Sequence, residues 1–275
     1  MNWMKFPVVM ELGKVFSNSC RLIVKSPNAL IHSFVYTIFL EAVSTIDNDT
    51  NLSTTLGCFR LVLIAVLFYW SYVLSNYFIF HVYKMTGMAD GNLDVFRESR
   101  DYFWDTVLQS LLGIFITGLI LILFLGFGFI TFGAYGVINF IPFMLGLYLI
   151  ALLSFGAAAL GKRIMLDKKA GIIKGTVDGI KVLGLHWTWY FCFYLAFTFA
   201  SILVFWAKGI LGLWLTGVDI FSIPVFPIYS FLETYSLMSS YLGMRIIFGL
   251  IDTVTLPFFS FLTTFAYISR RKYEI

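Results

Sequence analysis

The sequence predicts an all-helical protein that crosses a membrane several times. Of its 275 residues, 60% are hydrophobic and 12% are charged, whereas a soluble domain has roughly 25% charged residues. One globular core cannot bury so much apolar surface, and long uncharged stretches between short basic segments are typical of transmembrane helices joined by loops. We therefore expect a single polytopic transmembrane domain over residues 1–275.

Six segments are long and apolar enough to cross a hydrocarbon layer of ~30 Å as helices. The stretch between Asp105 and Lys162 has no charged residue. It is longer than one crossing needs, so we divide it into two spans joined by a glycine-rich outer turn. The predicted spans are about 28–45, 59–82, 106–127, 140–161, 186–207 and 242–268.

Three amphipathic segments are predicted as cytoplasmic interfacial helices, at about 11–25, 92–105 and 168–185. In each, apolar residues recur at helical spacing and charged residues fill the other side. The third belongs to a basic hinge at 162–189. Its apolar arc contains Ile172, Ile173, Thr176, Val177, Ile180 and Leu183, and a separate stripe contains Gly171, Gly175 and Gly179. Each segment precedes an outward and a returning span, which suggests three helix-hairpin repeats.

The distribution of basic residues predicts the orientation, because cytoplasmic loops are enriched in Lys and Arg. With these spans, 16 of the 19 basic residues lie on one side, and Arg60, Lys208 and Arg245 lie on the other. We therefore expect a multi-pass protein of the cell membrane with both termini in the cytoplasm. The segment 208–241 and the loop with the possible glycosylation sites Asn48 and Asn51 are expected outside.

Basic side chains on the first and third amphipathic helices predict a contact with anionic lipid of the inner leaflet or with a partner. Juxtamembrane cations attract anionic lipid headgroups, and an apolar arc allows a helix to lie flat at the interface. The residues expected to make this contact are Lys14, Arg21, Lys25, Lys168, Lys169, Lys174 and Lys181.

Asp252 is the candidate intramembrane site, because it lies well inside the sixth predicted span. A buried charge there must be paired, protonated or hydrated. Arg245 lies seven residues earlier on the same helical face, and Glu41 or Arg60 would complete a polar cluster in the outer half. Two interpretations stay open: a polar pair that locks helices together, and a pathway for a substrate or a proton.

No catalytic, metal-binding or cofactor-binding pattern is present in the sequence. Paired carboxylates, metal-ligand spacing, a P-loop, a nucleotide fingerprint and a GxSxG elbow are all missing. We therefore expect no cofactor, no metal and no nucleic-acid partner, and the pattern does not favour an enzyme. The isolated histidines are His32, His81 and His186, and the cysteines without CxxC spacing are Cys20, Cys58 and Cys192.

Residues 96–194 resemble the YciC-like membrane proteins and the membrane domain of some glycerophosphodiester phosphodiesterases. The similarity rests on a polar helix entering a span, a glycine-rich apolar pair, Pro142 at the start of span four, and IMLDKKAG at 164–171. The chain departs from that family at 141–143, which reads IPF where a Pro-Gly pair is frequent. The resemblance implies a six-helix membrane module and transfers no catalytic residue.

Three functions are compatible with these observations. The first is a non-enzymatic module for transport or for scaffolding a partner, since no catalytic set is visible. The second is the permease subunit of an ABC-type exporter, whose cytoplasmic helices would dock an ATPase or another membrane subunit. The third is a lipid-acting membrane enzyme.

Overall fold

A computed structural model describes residues 7–44, 55–135, 140–216 and 242–271. Almost all of these residues lie in helices and none of them lies in a β-strand, which confirms the predicted all-helical class for this part of the chain. The helices are α1 (Pro7–Lys25), α2 (Pro27–Ser44), α3 (Thr55–Met85), α4 (Val95–Asp101), α5 (Phe103–Tyr135), α6 (Phe140–Ser154), a π-helical turn (Phe155–Leu160), α7 (Gly161–Lys168), α8 (Ile172–Leu185), α9 (Trp187–Thr216) and α10 (Leu242–Arg271).

Five stretches within the described helices are long and apolar enough to cross a membrane. Their large apolar side chains are often exposed, as Phe115 (68%) and Ile122 (71%) are on α5. Surfaces of this kind are stable in lipid and not in water. By length and composition the chain is therefore a multi-pass membrane protein. The five stretches are Cys58–Met85, Phe103–Gly126, Phe143–Lys168, Trp187–Leu211 and Arg245–Arg271.

The predicted first span corresponds to α2, which is not one of these five stretches. This helix has 18 residues, and Asn28, His32 and Glu41 lower its mean hydropathy. Pro27 occupies its first position, where a missing N–H breaks no hydrogen bond. The carbonyl of Ser26 accepts from the N–H groups of Ala29 and Leu30, so α1 ends and α2 begins within one residue.

The described residues divide into two compact units. The first contains the chain up to Val15, residues 79–194 and the end of α10 from Thr263. Its core is aromatic, since Tyr190, Phe193 and Tyr267 are fully buried. The second contains Phe16–Phe78 and Leu195–Leu262.

The core of the second unit includes the edge-to-face contact of Phe78 with Phe261, whose ring centroids are 5.8 Å apart. A polar contact adds to it: the Thr37 and Thr253 hydroxyls, on α2 and α10, are 3.0 Å apart. Small polar side chains that hydrogen-bond across helices are a frequent source of helix association in membranes.

A π-helical turn interrupts the fourth long helix inside the first unit. The N–H of Gly161 donates to the carbonyl of Gly156, five residues earlier. The Gln109 Nε2 of α5 donates to the carbonyls of Ala157 and Ala158 at 2.7 and 3.2 Å, and the Ala158 carbonyl also accepts from the Gly161 N–H. The Gln109 side chain is fully buried, so its amide replaces part of the lost helical bonding.

The helix does not end near residue 161, as the sequence analysis expected, but continues through α7 to Lys168. It ends where Lys169 adopts a left-handed conformation with φ 48°, and the Lys169 N–H donates to the carbonyl of Met165. Lys162 and Arg163 are consequently buried within the first unit, not exposed in a hinge. Burial of their stems and hydrogen bonding of the Arg163 head outweigh the charge that suggested a hinge at the end of the span.

Candidate functional sites

An ion pair joins α9 and α10 in the second unit. The Lys208 Nζ donates to the Asp252 Oδ1, and the Thr255 hydroxyl lies 3.3 Å from the same oxygen. Both charged residues belong to stretches apolar enough to span a membrane. Attraction between opposite charges is strong where water is scarce, so this pair holds α9 and α10 together.

The two partners differ in their exposure. The Lys208 side chain is 11% exposed, whereas the Asp252 side chain is 33% exposed. The Lys208 Nζ also lies 5.9 Å from the centre of the Phe248 ring, a cation–π distance. The ammonium group is therefore enclosed by a carboxylate and an aromatic ring, and the carboxylate keeps an accessible side.

The structure corrects the partner that the sequence suggested for Asp252. Arg245 is on the same helix, about 10 Å away along its axis, and the ion pair with Asp252 is made by Lys208 of α9. Glu41 of α2 does approach α10, since its Cγ lies 3.5 Å from where a Cβ on Gly249 would be. Arg245 and Arg60 are half-buried and have interactions of their own.

Lys208 was missed because its charge was taken as the end of the fifth span. The helix α9 continues to Thr216. The apolar run at 209–215 after this lysine was the signal that the helix continues past it. A single cation followed by another turn of apolar residues is compatible with a helix whose lysine finds a buried partner.

A second polar cluster lies in the first unit around α7. The Arg163 guanidinium donates to the carbonyl of Ala159 at 2.7 Å, to the Thr264 hydroxyl at 3.2 Å and to the Thr263 hydroxyl. The Tyr83 hydroxyl donates to the carbonyl of Arg163 at 3.0 Å. Arg163 of α7 is thus hydrogen-bonded to side chains of both α3 and α10.

One turn further along α7, Asp167 is held by two residues of α10. The Tyr267 hydroxyl donates to the Asp167 Oδ2 at 2.7 Å, and the Arg271 Nε lies 3.0 Å from the same oxygen. Arg270 ion-pairs with Glu11 of α1 and lies 4.5 Å from the centre of the Trp189 ring. These contacts tie α1, α7, α9 and α10 together, which is a structural role.

The basic residues predicted to touch lipid or a partner are all exposed: Lys14, Arg21, Lys25, Lys168, Lys169, Lys174 and Lys181. The buried residues of α8 are Gly175, Thr176, Gly179, Val182 and Leu183, while Ile173 and Val177 are 73% and 43% exposed. The glycine stripe is therefore buried together with part of the apolar arc, and the part at Ile173 and Val177 points outward. An outward apolar arc with lysines at its edge is the pattern of an interfacial helix.

The described residues contain no candidate metal site, because no three His, Cys, Asp or Glu side chains among them are close enough together to hold an ion. His32 packs edge-on against Tyr77 at 5.0 Å. Cys20, Cys58 and Cys192 are free and exposed. Asn48 and Asn51, the possible glycosylation sites, lie outside the described ranges.

Searches with the whole chain find no matching protein-family model, no matching curated protein and no matching solved structure.

Proposed function

We propose that this protein is a transport module of the cell membrane and that the Lys208–Asp252 pair lies in its pathway. The observation that supports this function is an ion pair within apolar helices whose carboxylate stays one-third exposed. Ionisable residues inside membrane segments are costly, and they occur mainly along pathways for ions, protons or substrates.

A purely structural role explains the pair less well. Desolvating two charges costs about as much as their attraction returns, so a buried ion pair contributes little net stability. An edge-to-face contact of Phe197 with Phe259, at 5.0 Å between ring centroids, already connects α9 with α10 without burying a charge. In a transport cycle, the pair can exchange partners because desolvation cost and attraction nearly cancel. Breaking the pair then costs little free energy once a replacement charge arrives.

The proposed arrangement in the membrane has six spans, with α2 as the first, in three helix-hairpin repeats. Both termini face the cytoplasm, and α1 and α8 lie on the anionic inner leaflet. The element order supports the second and third repeats, because α4 and α8 have 7 and 14 residues and precede helices of 33 and 30 residues. In the first repeat, α1 and α2 have similar lengths of 19 and 18 residues. In this arrangement Lys208 and Asp252 lie in the outer half of the membrane, since α9 runs outward and α10 runs inward.

Cysteine labelling tests whether a water-filled pathway reaches the pair. In a chain whose Cys20, Cys58 and Cys192 are replaced by serine, the test variant is Thr255→Cys, next to the carboxylate. The matched control is Val254→Cys, one residue away and 47% exposed on the apolar surface. A water-soluble thiosulfonate should modify the Thr255→Cys variant several-fold faster, because a thiol in hydrocarbon does not ionise. Equal, slow labelling of both would refute the pathway.

Two further measurements separate transport from the other two functions. Co-purification of an ATPase in mild detergent would make the chain a permease subunit of an ABC-type exporter, with α1, α4 and α8 as docking elements. Turnover of a labelled phospholipid by the purified protein would instead identify a lipid-acting enzyme. A transport module that works alone should co-purify with no ATPase at stoichiometric amounts and should not turn over the labelled phospholipid. It should also be labelled rapidly at position 255.

A further inference from the structure

We infer that Asp252 binds an organic ammonium ion, which takes the place of the Lys208 ammonium group. This inference rests on the proposed transport function and names its substrate class. The Lys208 Nζ shows how such a ligand would sit, because it is an alkylammonium group held by a carboxylate and placed near an aromatic ring.

The hydrogen bonds of Asp252 leave room for a second cation. Lys208 and Thr255 both approach Oδ1. Within the described part of the chain, no hydrogen bond or ion pair of Oδ2 is present. A carboxylate has about four lone-pair directions on its two oxygens, so Oδ2 can accept from an incoming ammonium group before Lys208 leaves. Since the side chain is 33% exposed, the carboxylate, and not the lysine, is the accessible partner.

The aromatic neighbour favours an organic cation over a metal ion. Phe248 precedes Asp252 by four residues on α10, so both side chains are on the same helical face. Aromatic rings attract alkylammonium groups, whereas small metal ions require several oxygen ligands. Besides the carboxylate, the hydrogen bonds of Lys208 and Asp252 with described side chains include one hydroxyl, that of Thr255. This set suits an ammonium group with an apolar tail.

The exchange makes opposite predictions for the two charged residues. Loss of Asp252 removes the attraction for any cation, so binding should disappear. Loss of Lys208 removes the internal competitor, so the same cation should bind more tightly. A merely structural pair would give neither change, and an anion site would give the reverse signs.

The experiment uses the full-length protein in mild detergent and phenethylammonium as the probe, with isothermal titration calorimetry as the readout. Asp252→Asn should weaken binding about thirtyfold or more, the usual cost of losing one member of a charged pair. Lys208→Met should strengthen it about tenfold. Phe248→Leu should weaken it about threefold, the size of a modest cation–π contact.

Matched controls use exposed residues of the first unit. Asp101→Asn and Lys174→Met remove charges from side chains on α4 and α8, and they should leave the affinity unchanged. If Asp252→Asn does not fold, the double variant Asp252→Asn with Lys208→Met leaves no uncompensated charge behind. This variant should fold and bind no phenethylammonium.

Each outcome supports or overturns the assignment. Equal binding by the wild type and all variants would place the cation elsewhere and overturn it. Stronger binding of phenylacetate than of phenethylammonium, lost in Lys208→Met, would show an anion site instead. Fast labelling at position 255 without cation binding would keep the pathway and reject the ammonium class. Slow labelling would reject the pathway itself.

Discussion

Asp167 shows how a single carboxylate is stabilised inside a helical unit. Its side chain is 5% exposed, and it receives the Tyr267 hydroxyl at 2.7 Å and the Arg271 Nε at 3.0 Å. A buried charge without such partners would destabilise the fold by several kcal/mol. The pairing therefore fixes the C-terminal part of α10 against α7.

Removing the Tyr267 hydroxyl should weaken the first unit. Tyr267→Phe keeps the ring and deletes a hydrogen bond to a charged acceptor, so the free energy of unfolding should fall by about 1.5–3 kcal/mol. Denaturant titration of the purified protein, followed by near-ultraviolet circular dichroism, measures this change. Tyr36→Phe on α2 is the matched control and should have little effect. An unchanged stability of Tyr267→Phe would show that Arg271 alone neutralises Asp167.

Individual residues were only partly predictable from the sequence. Asp252 stood out because an acidic residue within a long apolar run is rare. Its partner did not, since Lys208 and Asp252 are 44 positions apart and pairing across helices leaves no local pattern. Lys162 and Arg163 were placed in a basic hinge between two spans because a charge count cannot tell an exposed cation from one that is hydrogen-bonded inside a bundle.

At the scale of the helices, the packing of α8 against the π-helical turn depends on Gly179, which has no side chain. A Cβ at Gly179 would lie 2.4 Å from the Gly156 oxygen and 2.5 Å from the Gly161 nitrogen, which are backbone atoms that cannot rotate away. The sequence showed the glycine stripe. It did not show that the glycines are buried together with Thr176 and Leu183 while Ile173 and Val177 stay exposed, because all these positions are uncharged.

Gly179→Ala should therefore separate α8 from the π-helical turn. Overpacking of this kind costs about 1–3 kcal/mol, although alanine is the better helix former. The control is Gly184→Ala on the same helix, where a Cβ would meet no atom within 4 Å. That change should be neutral or stabilise the protein by up to about 1 kcal/mol. Denaturant titrations compare the two, and equal effects would contradict the close packing.

The exposed face of α8 leads to a prediction about lipid. A peptide of residues 168–185 should bind vesicles that contain phosphatidylglycerol and gain helicity, because each lysine near an anionic surface contributes roughly 1 kcal/mol. The control peptide carries glutamine in place of Lys168, Lys169, Lys174 and Lys181. Circular dichroism with increasing lipid measures both peptides. Equal binding of the lysine peptide to phosphatidylcholine vesicles would exclude an electrostatic contact.

At the scale of the whole molecule, composition and charge pattern were sufficient for the helical membrane class. Apolar length is a property of each segment alone, so the five long apolar helices follow from hydropathy. The helix ends were less predictable: α7 extends to Lys168 and α9 to Thr216, past the charges that were taken as boundaries. Tertiary partners such as Thr264 and Asp252 allow these charges to stay in helices.

The orientation across the membrane remains a prediction from the basic residues, and single-cysteine labelling on sealed cells would test it. In the background without native cysteines, Thr50→Cys should react with an impermeant maleimide from outside. Lys169→Cys, at the exposed end of α7, should react only after the cells are permeabilised, because basic segments stay in the cytoplasm. Thr50 lies between two predicted spans, outside the described residues. Labelling of both cysteines from the same side would show that the topology with two cytoplasmic termini is wrong.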